Sequence, residues 1–260
     1  MIARRAIAYI RQRDWAGVAI ELAVVVVGVF IGLQASNWNQ DRETDRRAAV
    51  FTQRLTSDLR AEAWGYEMQI GYFGTVIANA RQAADALSGA SPLSDEALLI
   101  AAYRGSQYSG TIRRRATYDE LTSTGEIGLI RDVVTRDLAV RLYNFLALEE
   151  IVEEAKHSEY RHWFRLNMPH PMQQALSDAC GDKVVAVGDY KGIATALDYA
   201  CSLPLSPDAI AQAAGILRND KAVLPLLRLR IADTQTSLDN LARYNQNIRD
   251  DLRALAARHP

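Results

Sequence analysis

The chain has 260 residues and a formal net charge of −1, so no strong global field draws it to nucleic acid, and no nucleic-acid partner is expected. Hydrophobic residues make up 49% and charged ones 23%, which excludes disorder as the default state. Glycine and proline are sparse, at 15 and 7, while alanine, leucine and arginine are plentiful, a balance that favours helix over sheet.

Residues 1–14 carry Arg4, Arg5, Arg11 and Arg13 and read as a basic cytoplasmic tail. From Trp15 to Trp38 the only charge is Glu21, and Leu22 to Leu33 is unbroken apolar sequence. Crossing a bilayer takes roughly 20 apolar residues, and Ala16 to Ser36 meets that length if Glu21 lies near one end. Three readings compete. A cleaved signal peptide wants small residues before the cleavage point, and Leu33-Gln34-Ala35 fits that poorly. A buried soluble helix rarely carries so long an apolar run between two tryptophans. An uncleaved transmembrane helix over 15–38 accounts for both features, with Trp15 and Trp38 as interface anchors. Arg42, Arg46, Arg47 and Arg54 follow the span, so the positive-inside count is nearly balanced.

At about 100° per residue, Glu21, Gly28, Gly32 and Ser36 fall along one helix face. Gly28 to Gly32 is a GxxxG motif, which lets two helix backbones approach in lipid, so this face is the expected association surface of a homodimer. Glycine is also common in spans that do not associate. Glu21 would snorkel to the headgroups, bond across the seam or be protonated.

The combination of Glu21, Gly28, Gly32, Leu33, Gln34, Asn37, Trp38 and Asn39 resembles the head of an uncharacterised bacterial single-pass membrane-protein family, a domain of unknown function. A second matching element is Thr117 to Gly125, followed by Ile127 and Ile130; together they cover about 40 residues and leave the region after about residue 170 outside the match. The resemblance implies an N-terminal anchor and a largely helical domain outside the cytoplasm. It implies no activity.

Beyond the span no glycine or proline occurs between Leu33 and Ala63, so one helix is expected to run on into the following domain. Its seam steps by fours and threes through Leu59, Ala63, Tyr66, Ile70, Phe73, Ile77, Ala80, Ala84 and Leu87, and Gly89 and Pro92 end it. Ser94 is the N-cap of a short helix reaching about Arg104. The Arg113-Arg114-Arg115 triplet is a phosphate or anionic-lipid grip in one reading and a solvated turn in the other. Thr117 and Glu120 have capping-box spacing, and Gly125 falls at a C′ position; a site built from Tyr118, Asp119 and Glu120 is the functional alternative.

A second long helix is expected over 132–167, ended by Pro169 and Pro171. Within it Glu154/His157 and Glu159/His162 show the Glu-x-x-His spacing of dimetal bundles, but five residues apart on one helix they cannot face one core. Val184 to Val187 reads as a short strand or extended loop. In an oxidising compartment Cys180 and Cys201, which enclose this stretch, would form a disulfide; neither lies in a Cys-x-x-Cys motif. Ser206-Pro207-Asp208 starts another helix. A third long helix over 225–257 carries a seam through Leu227, Ile231, Thr234, Leu238, Leu241, Asn245, Ile248, Leu252 and Leu255, where Asn245 either fixes register or binds a polar ligand.

The fold class expected is all-α: an N-terminal transmembrane helix, then an elongated antiparallel helical bundle over 39–260 with a Cys180–Cys201 loop. The expected place is the bacterial inner membrane, N-terminus cytoplasmic and bundle periplasmic. No nucleophile elbow, phosphate loop or convincing metal set is present, so the expected role is not enzymatic and no cofactor or metal is implied. The first reading is interaction or scaffolding with an unknown envelope protein. The alternative is a sensor-like bundle that binds a small ligand and signals through a partner, because a tail of about 14 residues holds no output domain.

Overall fold

The computed structural model describes residues 15–258, with side chains from residue 19 onward. The chain is all-α, and no strand occurs among the described residues. It divides into two compact units that meet in sequence at Thr52 and Gln53. The basic tail over 1–14 and the Trp15 side chain lie outside what is described.

In the first unit the described residues belong to α1 (Trp15–Ser88). Its apolar side chains from Ile20 to Leu33 are 54–67% exposed. Among the described residues no other element covers them, and the helix is long and apolar enough there to cross a membrane.

The second unit is a helical bundle. It contains the rest of α1, then α2 (Asp95–Gly105), α3 (Ala116–Ser123), α4 (Val133–Tyr143), α5 (Ala147–Lys156), α6 (Glu159–Asn167), α7 (His170–Cys180), α8 (Pro207–Asn219), α9 (Val223–Asp239) and α10 (Gln246–Ala257). α1 is its central helix. The expected seam is buried at Leu59, Ala63, Tyr66, Phe73, Ile77, Ala80 and Ala84, while Ile70 and Leu87 are only partly buried. Glu62, Trp64, Met68, Gln69, Tyr72 and Val76 are buried too, so the burial reaches well beyond one stripe.

One end of the core gathers alanines of α1 (Ala80, Ala83, Ala84) against Leu98, Leu99 and Ala102 of α2, with Phe164, Leu176 and Leu217 closing it. Small residues let α2 cross α1 at close range: a Cβ added at Gly105 would stand 2.9 Å from the Ala80 Cα. At the other end, Tyr66 Oη donates to the Leu241 carbonyl (2.9 Å) and Gln69 Nε2 to the Leu148 carbonyl (3.1 Å).

Helix ends follow local chemistry. Ser94 and Ser206 accept from the N–H groups of Ala97 and Ala209 as expected. Gly89 (φ 82°) and Gly125 (φ 72°) close Schellman turns, in which Ala90 N–H reaches Asp85 O and Glu126 N–H reaches Leu121 O.

Three expectations need correction. The helix expected over 132–167 is three helices. Asn144 ends α4 by turning its amide onto the Val140 carbonyl (2.8 Å), and Ser158 caps α6 by accepting from Arg161 N–H (3.3 Å). Pro169 and Pro171 do stop α6, and they also sit at the N-cap and first turn of α7, an unexpected helix. The helix expected over 225–257 is broken by a π-turn at Asn240–Tyr244, and Asn245 is the breakpoint, its Nδ2 donating to Asn240 O (3.0 Å) and Oδ1 (2.8 Å). The Thr117 capping box is absent. Arg115 is the N-cap of α3, and the Thr117 hydroxyl instead donates to Asp58 Oδ2 on α1 (2.5 Å).

Candidate functional site

Four places carry the chemistry the sequence singled out. The first is the apolar segment of α1. A Cβ added at Gly28 or Gly32 would meet nothing within 4 Å, so this face is uncovered along the GxxxG stretch. Glu21 and Ser36 are also exposed. At the polar exit Trp38 is exposed and the Arg42 guanidinium stands 4.3 Å from its ring centroid, one turn on.

The second is the arginine triplet, which the structure splits: Arg114 and Arg115 are exposed, as a solvated turn would have them, while Arg113 is drawn into a part-buried ion cluster. Arg113 is paired with Glu62 (2.7 Å) and Glu149 (2.5 Å), and its side chain is only 13% exposed. The Glu62 side chain is 4% exposed and also accepts from the Arg114 N–H (2.5 Å). Burial raises the Glu62 carboxyl above its ordinary value, and the Arg113 charge opposes that rise without cancelling it. Arg115 pairs with Asp119 (2.9 Å) and Arg54 with Glu120 (2.8 Å). Tyr118 is buried and stacked on Tyr143 at 4.8 Å. Tyr118, Asp119 and Glu120 therefore hold α3 in place and do not converge.

The third is the pair of Glu-x-x-His spacings. They do not assemble: Glu154 accepts from the Ser237 hydroxyl (2.6 Å), and exposed His157 faces Glu153 (3.3 Å). No group of three metal-ligating side chains occurs among the described residues.

The fourth is the cysteine loop. Cys180, at the end of α7, is bonded to Cys201, with Cα atoms 5.5 Å apart. The Val184–Val187 stretch is an extended loop, not a strand. It forms one wall of an open groove of about 480 Å³, opposite Trp64 and Met68 of α1 and the strap from Ser109 to Ile112. The strap lies close on α1: a Cβ at Gly65 would stand 3.0 Å from Thr111 Oγ1. Ile112 is 91% exposed and Val184 fully exposed at this rim. Asp182 is anchored beside the groove by the Tyr72 hydroxyl, which donates to its Oδ1 (2.7 Å).

Sequence reasoning missed the residue that organises this loop. Arg104, buried at the end of α2, sends Nε to the Cys180 carbonyl (3.3 Å) and Nη2 to the Tyr199 carbonyl (2.8 Å) and Cys201 Sγ (3.5 Å). Its guanidinium also lies 4.8 Å from the Tyr199 ring centroid, and the Lys183 ammonium lies 3.6 Å from the same centroid. A lone arginine at a helix end gives no sequence signal for such a role. No family model, curated protein or solved structure matches this chain.

Proposed function

We propose that this chain is a membrane-anchored, non-catalytic protein of the bacterial cell envelope, working through protein interaction. On this reading the α1 segment through 15–38 spans the inner membrane with the basic tail in the cytoplasm, and the bundle lies in the periplasm. The observation that carries it is the α1 segment from Ile20 to Leu33, whose apolar side chains are all more than half exposed. In water that surface would drive aggregation, whereas a bilayer satisfies it. The disulfide supports an oxidising compartment, and the family resemblance at the N-terminus agrees with an anchor.

The uncovered Glu21, Gly28, Gly32 and Ser36 face supports a homodimer in the membrane. Crosslinking in native membranes tests it: Gly28→Leu and Gly32→Leu reduce the dimer yield, and an unchanged yield refutes the seam. Membrane placement itself is tested by alkaline extraction of isolated membranes. The chain stays with the pellet on this reading, and release into the supernatant overturns it.

A second reading, a sensor-like bundle that binds a small ligand, is favoured by the groove beside Trp64 and Met68, whose volume suits a small molecule. A thermal-shift panel on the full chain separates the two: a saturable rise with one compound class supports the sensor, and none supports the scaffold.

A further inference from the structure

We infer that the Cys180–Cys201 bridge is a thiol–disulfide exchange site, with Cys201 as the exchanging sulfur and the dithiol or disulfide of a partner oxidoreductase as its substrate class. The two sulfurs are in unlike places. Cys180 is fully buried at the end of α7, whereas Cys201 is partly exposed and lines an open groove of about 410 Å³ between α1 and α2. Arg104 lines that same groove, with Nη2 at 3.5 Å from Cys201 Sγ.

Arg104 is only 6% exposed, and its hydrogen bonds go to carbonyls and sulfur, with no carboxylate among them. A buried guanidinium with no ion-pair partner among the described residues, aimed at a sulfur, favours the charged form of that sulfur once the bridge opens. The other charged groups nearby are few. Lys183 sits on Tyr199, Asp198 lines the groove, and Glu96 is engaged by the Leu203 N–H (2.7 Å). The side chains that α1 turns toward the groove, Thr75, Asn79 and Gln82, are uncharged.

Access and charge assign the steps. A partner thiolate attacks Cys201 Sγ, the bond to Cys180 breaks, and Cys180 takes the electron pair and a solvent proton. The partner is then joined to Cys201 by a mixed disulfide. The partner's second thiolate attacks its own sulfur in that bond, so the partner leaves as a disulfide and Cys201 leaves as a thiolate beside Arg104. Two electrons pass from the partner dithiol to the bridge. The same path in reverse forms the bridge, with the Cys201 thiolate as nucleophile. Lys183 to Val187, a wall of the larger groove, belongs to the bridged loop, so exchange at Cys201 sets how tightly that wall is tethered.

The test uses the full-length chain in detergent micelles, as the variants Cys180→Ser and Cys201→Ser, with iodoacetamide as probe across a pH series. Cys180→Ser is expected to alkylate with a midpoint below the usual thiol value of about 8.5, and to form a mixed disulfide with oxidised glutathione. Cys201→Ser, left with the buried thiol, reacts at least about tenfold more slowly. Arg104→Gln added to Cys180→Ser raises the midpoint, and each unit of rise lowers the thiolate fraction at acidic pH about tenfold. Equal rates for the two single-cysteine variants, or a Cys201 midpoint at or above the usual value, overturn the assignment. A midpoint unmoved by Arg104→Gln overturns the role of Arg104. If circular dichroism shows that the Arg104 variant is unfolded, the comparison of the two single-cysteine variants decides alone.

Discussion

Two glycines inside helices should respond to alanine with opposite signs. At Gly105, where α2 crosses α1, an added Cβ would stand 2.9 Å from the Ala80 Cα and 3.1 Å from its N and Cβ. Ordinary carbon contacts sit near 3.5–4.0 Å, so the two helices must part by about 0.6–1 Å at a fully buried crossing. Overpacking of this kind costs about 1–3 kcal/mol. The propensity gain from Gly to Ala, at most about 1 kcal/mol, is small in the last turn of a helix and leaves a net loss of about 1–2 kcal/mol. Gly74 lies in the interior of α1, is exposed, and an added Cβ there meets nothing within 4 Å. Gly74→Ala should therefore gain about 0.5–1 kcal/mol. Urea unfolding of the full chain in mild detergent, followed by far-UV circular dichroism, reads both. A Gly105→Ala variant as stable as the parent would refute the close crossing of α1 and α2.

Arg113→Ala leaves Glu62 buried without its main counter-charge, a loss of about 3–5 kcal/mol at neutral pH. Burial already raises the Glu62 carboxyl in the fold and Arg113 opposes the rise, so without Arg113 it climbs further. Protonation then relieves the penalty, and the deficit should shrink as the pH falls toward the ordinary value of 4.5; a deficit constant with pH would contradict this. Glu67 behaves oppositely. Burial would raise it, but hydrogen bonds from Arg249 and Arg253 (2.7–3.0 Å) outweigh burial and hold it below its ordinary value. Its contribution is present above pH 4.5 and lost as pH drops through the lowered value, so Glu67→Gln should flatten the stability profile below pH 4.5. Denaturant midpoints from pH 3 to 6 would show an unchanged slope if the pairings are idle. Reduction of the Cys180–Cys201 bridge, which spans 21 residues, should lower stability by on the order of 3 kcal/mol, read as the shift in urea midpoint with reductant.

The parts of the fold that sequence exposes are those governed by long periodicity and by glycine. The α1 seam is legible because its steps of four and three persist through Gly65, Gly71 and Gly74 with no proline before Pro92, and Gly89 and Gly125 announce turns that need positive φ. The breaks at Asn144, Ser158 and Asn245 were hidden, because each depends on a side chain choosing a local backbone partner, and the same residue types are tolerated in helix interiors. Thr117 misled for the converse reason: its hydroxyl is taken by Asp58, 59 residues earlier, a contact no local pattern encodes. Arg230 shows the same limit in the core. It is buried in α9 next to the apolar position Ile231, its Nη2 donating to the Gln107 carbonyl (3.1 Å), and burial holds it down at about 10. Of the site residues, the cysteines and the α1 glycines could be named in advance. Arg104 and the groove walls could not, because they come together only in the folded bundle.

The side of the membrane that holds the bundle is read by thiol labelling in intact cells with a membrane-impermeant maleimide that crosses the outer membrane, with and without prior reduction. The expected result is that Cys201, the accessible sulfur, labels in intact cells only after reductant, which places the bundle outside the cytoplasm with its bridge formed. Labelling without reductant, and only after the cells are broken open, would put the bundle in the cytoplasm and contradict both the topology and the envelope role.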